Sequence, residues 1–328
     1  MMSRGMRTAA LAIMVTGIAI VTGSAPVVAE TSIEERLDLS EDGSLVVETD
    51  IGGVVVRGGS GDGVVVVIRS ARDDLRDHMT FQFESSGSEA RVTARRSGSE
   101  REFRRWARSW TGPRLTFEIE VPGGASVAVD TSGGKVEVSD VRGGVKADTS
   151  GGKIVLRRIG SDVHADTSGG AIRVEEIGGN AELDTSGGGI EARRVAGSVS
   201  ADTSGGSIAL FDVEGDVDAD TSGGRIEISN AGGRVLADTS GGGIDVSFAP
   251  GNDRGGVLDT SGGSVTVRID PGVGLTIDAE ASGGSVRTDL PLSVTGSMDR
   301  GELRGTSNGG GATLKLRASG GGIRIEPI

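Results

Sequence analysis

The chain has no cysteine and no tyrosine, and its 328 residues include only two tryptophans, two histidines, six phenylalanines and seven prolines. Absence of cysteine excludes a disulfide framework and a lipid-modified cysteine at a processing site. At 2% aromatics, the chain lacks the ring platforms that hold sugars in carbohydrate enzymes. Basic residues are outnumbered 34 to 47, giving a net charge of −13, which argues against a general nucleic-acid binder.

What is present in excess is glycine, 58 residues, set among regularly spaced Val and Ile. Seven copies of Asp-Thr-Ser-Gly-Gly start at Asp130, Asp148, Asp166, Asp184, Asp202, Asp220 and Asp238, each 18 residues after the last, and an eighth starts at Asp259. A weaker Ala-Ser-Gly-Gly begins at Ala281. So short a fixed period means stacked units, each too small to bury its own apolar face.

Counting the Asp as position 1, apolar residues recur at positions 7 and 9 (Ile172 and Val174), 12 (Ile177), and 16 and 18 (Ala181 and Leu183). The pairs 7/9 and 16/18 alternate as strands do. Gly-Gly at positions 4 and 5 and Gly at position 14 predict two bends, where positive φ is cheap. Each unit then reads as one coil. The expected fold is all-β, a single-domain parallel β-solenoid of about 18 residues per coil, right-handed as parallel crossovers generally are.

Four segments follow. Residues 1–29 read as a signal peptide: Arg4 and Arg7 precede an apolar run, and Val27-Val28-Ala29 offers a cut before Glu30. Residues 30–129 are irregular coils interrupted by a basic excursion over 91–110, residues 130–258 are the regular repeats, and 259–328 are degenerate repeats with a C-terminal cap closed by Gly321 to Ile325. The expected location is secreted or periplasmic, and a cleaved leader leaves no integral membrane anchor.

The order of a leader, Gly52-Gly53-Val54-Val55-Val56, a basic interruption, a strand ending Val121-Pro122-Gly123-Gly124 and then short repeats resembles a bacterial β-strand-repeat family of unknown function labelled putative adhesin. The resemblance spans nearly all of the chain after the leader. It implies an extracytoplasmic solenoid and kinship with domains of envelope-stress systems, and it brings no catalytic residues.

Asp-Thr-Ser-Gly is not an aspartic protease motif, because Ser132 and its equivalents separate Thr from Gly and the copies lie in a row rather than on two facing loops. An ice-binding array fails too, since it needs two outward Thr per coil. The Asp column poses a physical question, because like charges on neighbouring strands repel by about 0.9 kcal/mol at 4.8 Å even in water. Asx-type turns, with each Asp accepting from Ser and Gly amides, are one offset. A comb of weak Ca²⁺ sites at Asp130, Asp148, Asp166, Asp184, Asp202, Asp220, Asp238 and Asp259 is the other, although one Asp and one Ser per coil supply few of the six to eight oxygens Ca²⁺ takes. No other cofactor is expected.

A carbohydrate-active enzyme on a β-helix is the catalytic rival. Its candidate residues are Asp253 and Arg254 in the interruption before the eighth repeat, or Asp73, Asp74 and His78. His164 reads as an exposed strand residue without a His partner. Arg104, Arg105, Trp106, Arg108 and Trp110 form the candidate contact patch, suited to an anionic envelope or cell-surface component. The competing reading is a hairpin whose tryptophans cap the stack. The expected class is a non-catalytic interaction or adhesin-like surface protein.

Overall fold

The computed structural model describes residues 31–108, 115–294 and 299–328. The expected leader and Trp110 lie outside the described residues. The chain divides after Val155 into two compact units.

In the second unit every repeat contributes one strand to each of two parallel sheets. Ile172–Ile177, Ile190–Val195, Ile208–Val213, Ile226–Ala231, Ile244–Phe248 and Val265–Ile269 pair in chain order. Val163–Thr167, Ala181–Thr185, Val199–Thr203, Val217–Thr221, Val235–Thr239 and Gly256–Thr260 pair likewise. Partners carry the same repeat position, as in Ile190 with Ile208 and Asp184 with Asp202, so the repeat writes itself as columns. This is a parallel β-solenoid. From Val136 to Ala237, positions 7, 9, 12, 16 and 18 are buried and positions 6, 8 and 17 face outward except at buried Val155; in the seventh repeat Ala249 at position 12 is half-buried and Asp253 at position 16 is exposed.

Strict alternation from positions 7 and 9 would bury position 11 and expose position 12. Instead Asp140, Arg158, Glu176, Arg194, Asp212 and Asn230, all at position 11, adopt φ between 53° and 64°. That left-handed residue drops out of the pairing, as between Glu175–Arg193 and Ile177–Val195, and returns position 12 to the interior. It costs about 1–2 kcal/mol per residue for an L side chain, and the apolar column it completes offsets the strain.

The repeat glycines do a different job from the one expected. The glycines at positions 4, 5 and 14 are not among those with positive φ, except Gly251 at the interruption before the eighth repeat. Those at position 5 and the others at position 14 are small because the coils stack backbone on backbone, whereas Gly133 and Gly151 at position 4 have open space where a Cβ would stand. A Cβ on Gly188 would lie 1.8 Å from the Gly170 carbonyl oxygen, and one on Gly143 would lie 2.5 Å from that of Ala125.

The Thr of each repeat explains the turn chemistry. Thr185, Thr203, Thr221, Thr239 and Thr260 are buried. The Thr203 hydroxyl donates to the Gly188 carbonyl of the preceding coil at 2.9 Å and accepts the Gly206 amide of its own at 3.2 Å. Thr221 and Thr239 repeat both bonds. One buried hydroxyl thus satisfies a donor and an acceptor that the turn would otherwise leave dry.

In the first unit Leu39–Thr49 lies between Gly87–Arg96 and Ser126–Thr131, parallel to both. Gly53–Gly59 is parallel to Thr116–Pro122 and Val136–Val141. Thr31–Leu37, Val64–Ser70 and Met79–Ser85 add antiparallel pairs at the margins. Arg91, Arg95 and Arg96 belong to a strand of the stack, so the excursion starts after Arg96. It is a helix rather than a hairpin.

At the chain's end the coil order departs from sequence order. Ala312–Ala318 and Ile323–Pro327 pair directly with the strands of the eighth repeat. Leu275–Ala281 and Val286–Thr288 pair on their far side. Gly321 to Ile325 therefore does not close the stack, as the sequence suggested. It is inserted between two earlier coils, and the antiparallel strand Glu302–Ser307 covers Leu275–Ala281 instead.

Candidate functional site

The two short helices of the first unit, α1 (Leu75–His78) and α2 (Glu100–Arg108), carry most of its unusual side chains. A capping box starts α2: the Ser99 hydroxyl donates to the Glu102 carboxylate at 2.7 Å, and the Ser99 amide lies 3.3 Å from the same oxygen. Those bonds hold the Glu102 carboxyl below its ordinary range. Phe103 and Trp106, three residues apart, are the buried face, with ring centroids 5.4 Å apart.

Trp106 is pinned on several sides. Its indole N–H lies 3.1 Å from both Asp74 oxygens, the His78 ring stacks on it at 4.7 Å and the Arg72 guanidinium sits 5.3 Å from its centre. Arg72 also grips Asp74 through two bonds of 2.7 and 2.6 Å. The Arg72 hydrogen bond, helped by that of Trp106 and opposed by desolvation, lowers the Asp74 carboxyl to about 2. Asp74 and His78 thus serve as the seat of the helix. Of the sequence-predicted patch, Trp106 faces inward and Arg104, Arg105 and Arg108 face outward. With Arg101 and Glu100 these arginines line an open surface depression. Arg104 is paired to Glu100 at 2.7 Å, with both side chains largely exposed.

The Asp column is an outward ladder in register, including Asp130 with Asp148 in the first unit and Asp166, Asp184, Asp202, Asp220, Asp238 and Asp259 in the second. Among the described residues the turn amides bond elsewhere, contrary to the Asx-type expectation. Ser186, Ser222 and Ser240 amides go to the Thr carbonyl of the preceding coil, and Gly188, Gly206 and Gly224 amides go to Thr hydroxyls. Partial burial and then neighbouring aspartates raise the carboxyls of Asp184, Asp220 and Asp238. The first unit continues the column with Glu48, which faces Asp130 and is neutralised by Arg91 at 2.8 Å and by Arg95.

The opposite sheet of the second unit pairs several of its outer charges. Arg193 and Arg173 hold Glu191; desolvation works most strongly against its charge, but the hydrogen bonds and charges of the two arginines together lower its carboxyl. Arg194 bridges Glu175 at 2.6 Å and Glu176 at 3.0 Å.

Sequence spacing missed one cluster. His164 stands opposite Glu182 on the neighbouring strand, Nδ1 to Oε2 3.1 Å, and its Nδ1 or Nε2 lies with one oxygen each of Glu182 and Asp184 inside 4.8 Å. The signal was available: an 18-residue step brings position 17 of one coil beside position 17 of the next. At the interruption near Asp253 and Arg254, it is buried Asn252 that acts. Its amide donates to the Ala231 and Gly233 carbonyls at 2.6 and 2.9 Å, and its oxygen accepts the Arg254 amide at 2.8 Å. Asp253 and Arg254 themselves are exposed, and nothing converges on them as a catalytic pair requires.

No protein-family model and no curated protein matches the chain. Among solved structures it is similar to a putative cell adhesion protein from Clostridium sporogenes, at 10% identity and a TM-score of 0.28 over 92% of this chain and 100% of that one. A putative adhesin from Bacteroides fragilis matches at 12% identity and a TM-score of 0.35, covering 91% and 97% of the two chains. A putative adhesin from Parabacteroides distasonis matches at 11% identity and a TM-score of 0.41, covering 92% and 97%.

Proposed function

We propose that the protein is a non-catalytic, secreted or periplasmic β-solenoid that acts as an envelope-associated, adhesin-like interaction protein, and that the arginine face of α2 is its contact with an anionic envelope or cell-surface component. The observation that carries this reading is the division of labour within α2. Phe103 and Trp106 anchor one side, while Arg101, Arg104, Arg105 and Arg108 stand in water on the other. The exposed Arg104–Glu100 pair adds little to stability, and these guanidinium groups suit phosphate or carboxylate surfaces. The structural employment of Asp74, His78 and Asn252 takes away support from the carbohydrate-enzyme reading. Extracytoplasmic location rests on the leader-like 1–29 segment. Among the described residues no helix is long and apolar enough to cross a membrane.

The test replaces Arg104, Arg105 and Arg108 together by Gln, which keeps helix propensity, and measures association with anionic vesicles and native envelope fractions. The expected result is loss of association at unchanged melting temperature, with added salt weakening the wild-type association as exposed charges are screened. Trp106→Ala should instead cost about 3–5 kcal/mol of stability in the first unit. Full association by the triple variant would reject the contact surface.

A further inference from the structure

Outside α2, the described residue cluster richest in ligand chemistry lies on the second unit. Strands Val163–Thr167 and Ala181–Thr185 pair in parallel, placing His164 opposite Glu182 and Asp166 opposite Asp184. Ala165 and Leu183 are buried between them, so all four side chains share the outer face. We propose that His164, Glu182 and Asp184 form a surface site for one divalent transition-metal ion of the zinc class.

Geometry supports it first. Zinc takes nitrogen and carboxylate ligands at about 2.0–2.2 Å, so tetrahedral donors stand roughly 3.3–3.6 Å apart. His164 Nδ1 and Glu182 Oε2 are 3.1 Å apart, and the donor set with Asp184 fits within 4.8 Å. Closing the remaining gap takes only small torsional changes, since the His164 and Glu182 side chains are 36% and 64% exposed. Asp166 stands opposite Asp184 on the neighbouring strand but outside this donor set.

Chemistry distinguishes this place from the rest of the column. Elsewhere the ladder offers oxygen alone, too few atoms per coil for Ca²⁺. An imidazole nitrogen shifts preference toward Zn²⁺, Ni²⁺ or Cu²⁺. Two carboxylates balance the ion's charge, and the ion in turn offsets the crowding of Asp166, Glu182 and Asp184 on one outer face. The chain's other histidine, His78, is stacked on Trp106. Because the ligands come from successive coils, a bound ion staples one to the next. Three protein ligands leave one position for water or for an oxygen of a bound partner.

The untagged full-length protein is titrated with Zn²⁺ and separately with Ca²⁺ by calorimetry, and hydrogen exchange is followed over residues 163–185. The proposal expects one Zn²⁺ per chain and added protection of both strands. His164→Gln and Glu182→Gln should each weaken Zn²⁺ binding at least about tenfold, because each removes a ligand outright. His78→Gln should bind as wild type does, which separates loss of this imidazole from loss of histidine in general. Three outcomes overturn the site: no saturable Zn²⁺ binding by the wild type, Zn²⁺ binding undiminished in His164→Gln, or Zn²⁺ and Ca²⁺ binding with equal strength. The last two would mean that the carboxylate ladder attracts cations without a built site, and that His164 and Glu182 are a plain ion pair.

Discussion

Replacing Thr203 by Val tests whether the buried hydroxyl column, rather than packing alone, ties the coils together. The two side chains have nearly the same shape, and Thr203 is 1% exposed. The change strands the Gly188 carbonyl and the Gly206 amide, bonded to the hydroxyl at 2.9 and 3.2 Å. Each orphaned buried group costs about 1–3 kcal/mol. The added methyl returns at most about 0.8 kcal/mol, so the net loss from the two groups should be about 1–5 kcal/mol. Thr203→Ser keeps both bonds and loses one methyl group, for about 1 kcal/mol. A stacked-repeat protein need not unfold as one unit, and both tryptophans lie in the first unit, so tryptophan fluorescence does not report on this turn. Hydrogen exchange resolved over residues 188–206 does. The Val variant should lose far more protection there than the Ser variant. If Ser is as damaging as Val, or if Val costs under about 0.5 kcal/mol, methyl packing accounts for the column and the hydrogen-bond reasoning is refuted.

Gly188→Ala should destabilise the second unit by more than about 1 kcal/mol even though no positive φ is involved, because the new Cβ meets the Gly170 carbonyl at 1.8 Å and must push a coil aside; denaturation followed by far-ultraviolet circular dichroism checks it. Asp184, Asp220 and Asp238 have carboxyls raised in the folded state, so their repulsion is present above those raised values and relieved as pH falls through them. Asp184→Asn should therefore stabilise the second unit at neutral pH and flatten its gain on mild acidification, measured as melting temperature against pH. Asp74 behaves oppositely: its contribution is complete above the ordinary carboxylate value and fades as pH falls toward about 2, so the α2 seat should loosen in strong acid, read by Trp106 fluorescence.

Periodicity made the buried columns legible. A residue's inward or outward direction in a strand follows from parity, and a strict 18-residue step puts equal positions beside each other, so Ile172, Val174, Ala181 and Leu183 could be placed in the core from spacing alone, and Ile177 from the recurrence of an apolar residue at its position. The outward Asp ladder and the arginine-rich character of the segment around Arg104 were legible for the same reason. Other features required the folded chain. The left-handed turn at Glu176 and its equivalents carries no glycine and so no local signature; the need to bury position 12 imposes it. The glycines are readable as glycines, but whether they serve φ or close approach depends on the coil beneath, as Gly170 beneath Gly188 shows. Thr, rather than Asp, closes the turn because only Thr points inward, where an unmet carbonyl and amide have no water. Trp106 turns inward because Asp74, 32 residues earlier, offers its indole a carboxylate. The insertion of Ala312–Pro327 beside the eighth repeat is beyond any period, since a parallel edge accepts whichever strand matches it best and chain order imposes no such choice. Sequence determines which side of each strand is apolar; the tertiary structure decides which strands meet, and with that which charges, hydroxyls and rings become neighbours.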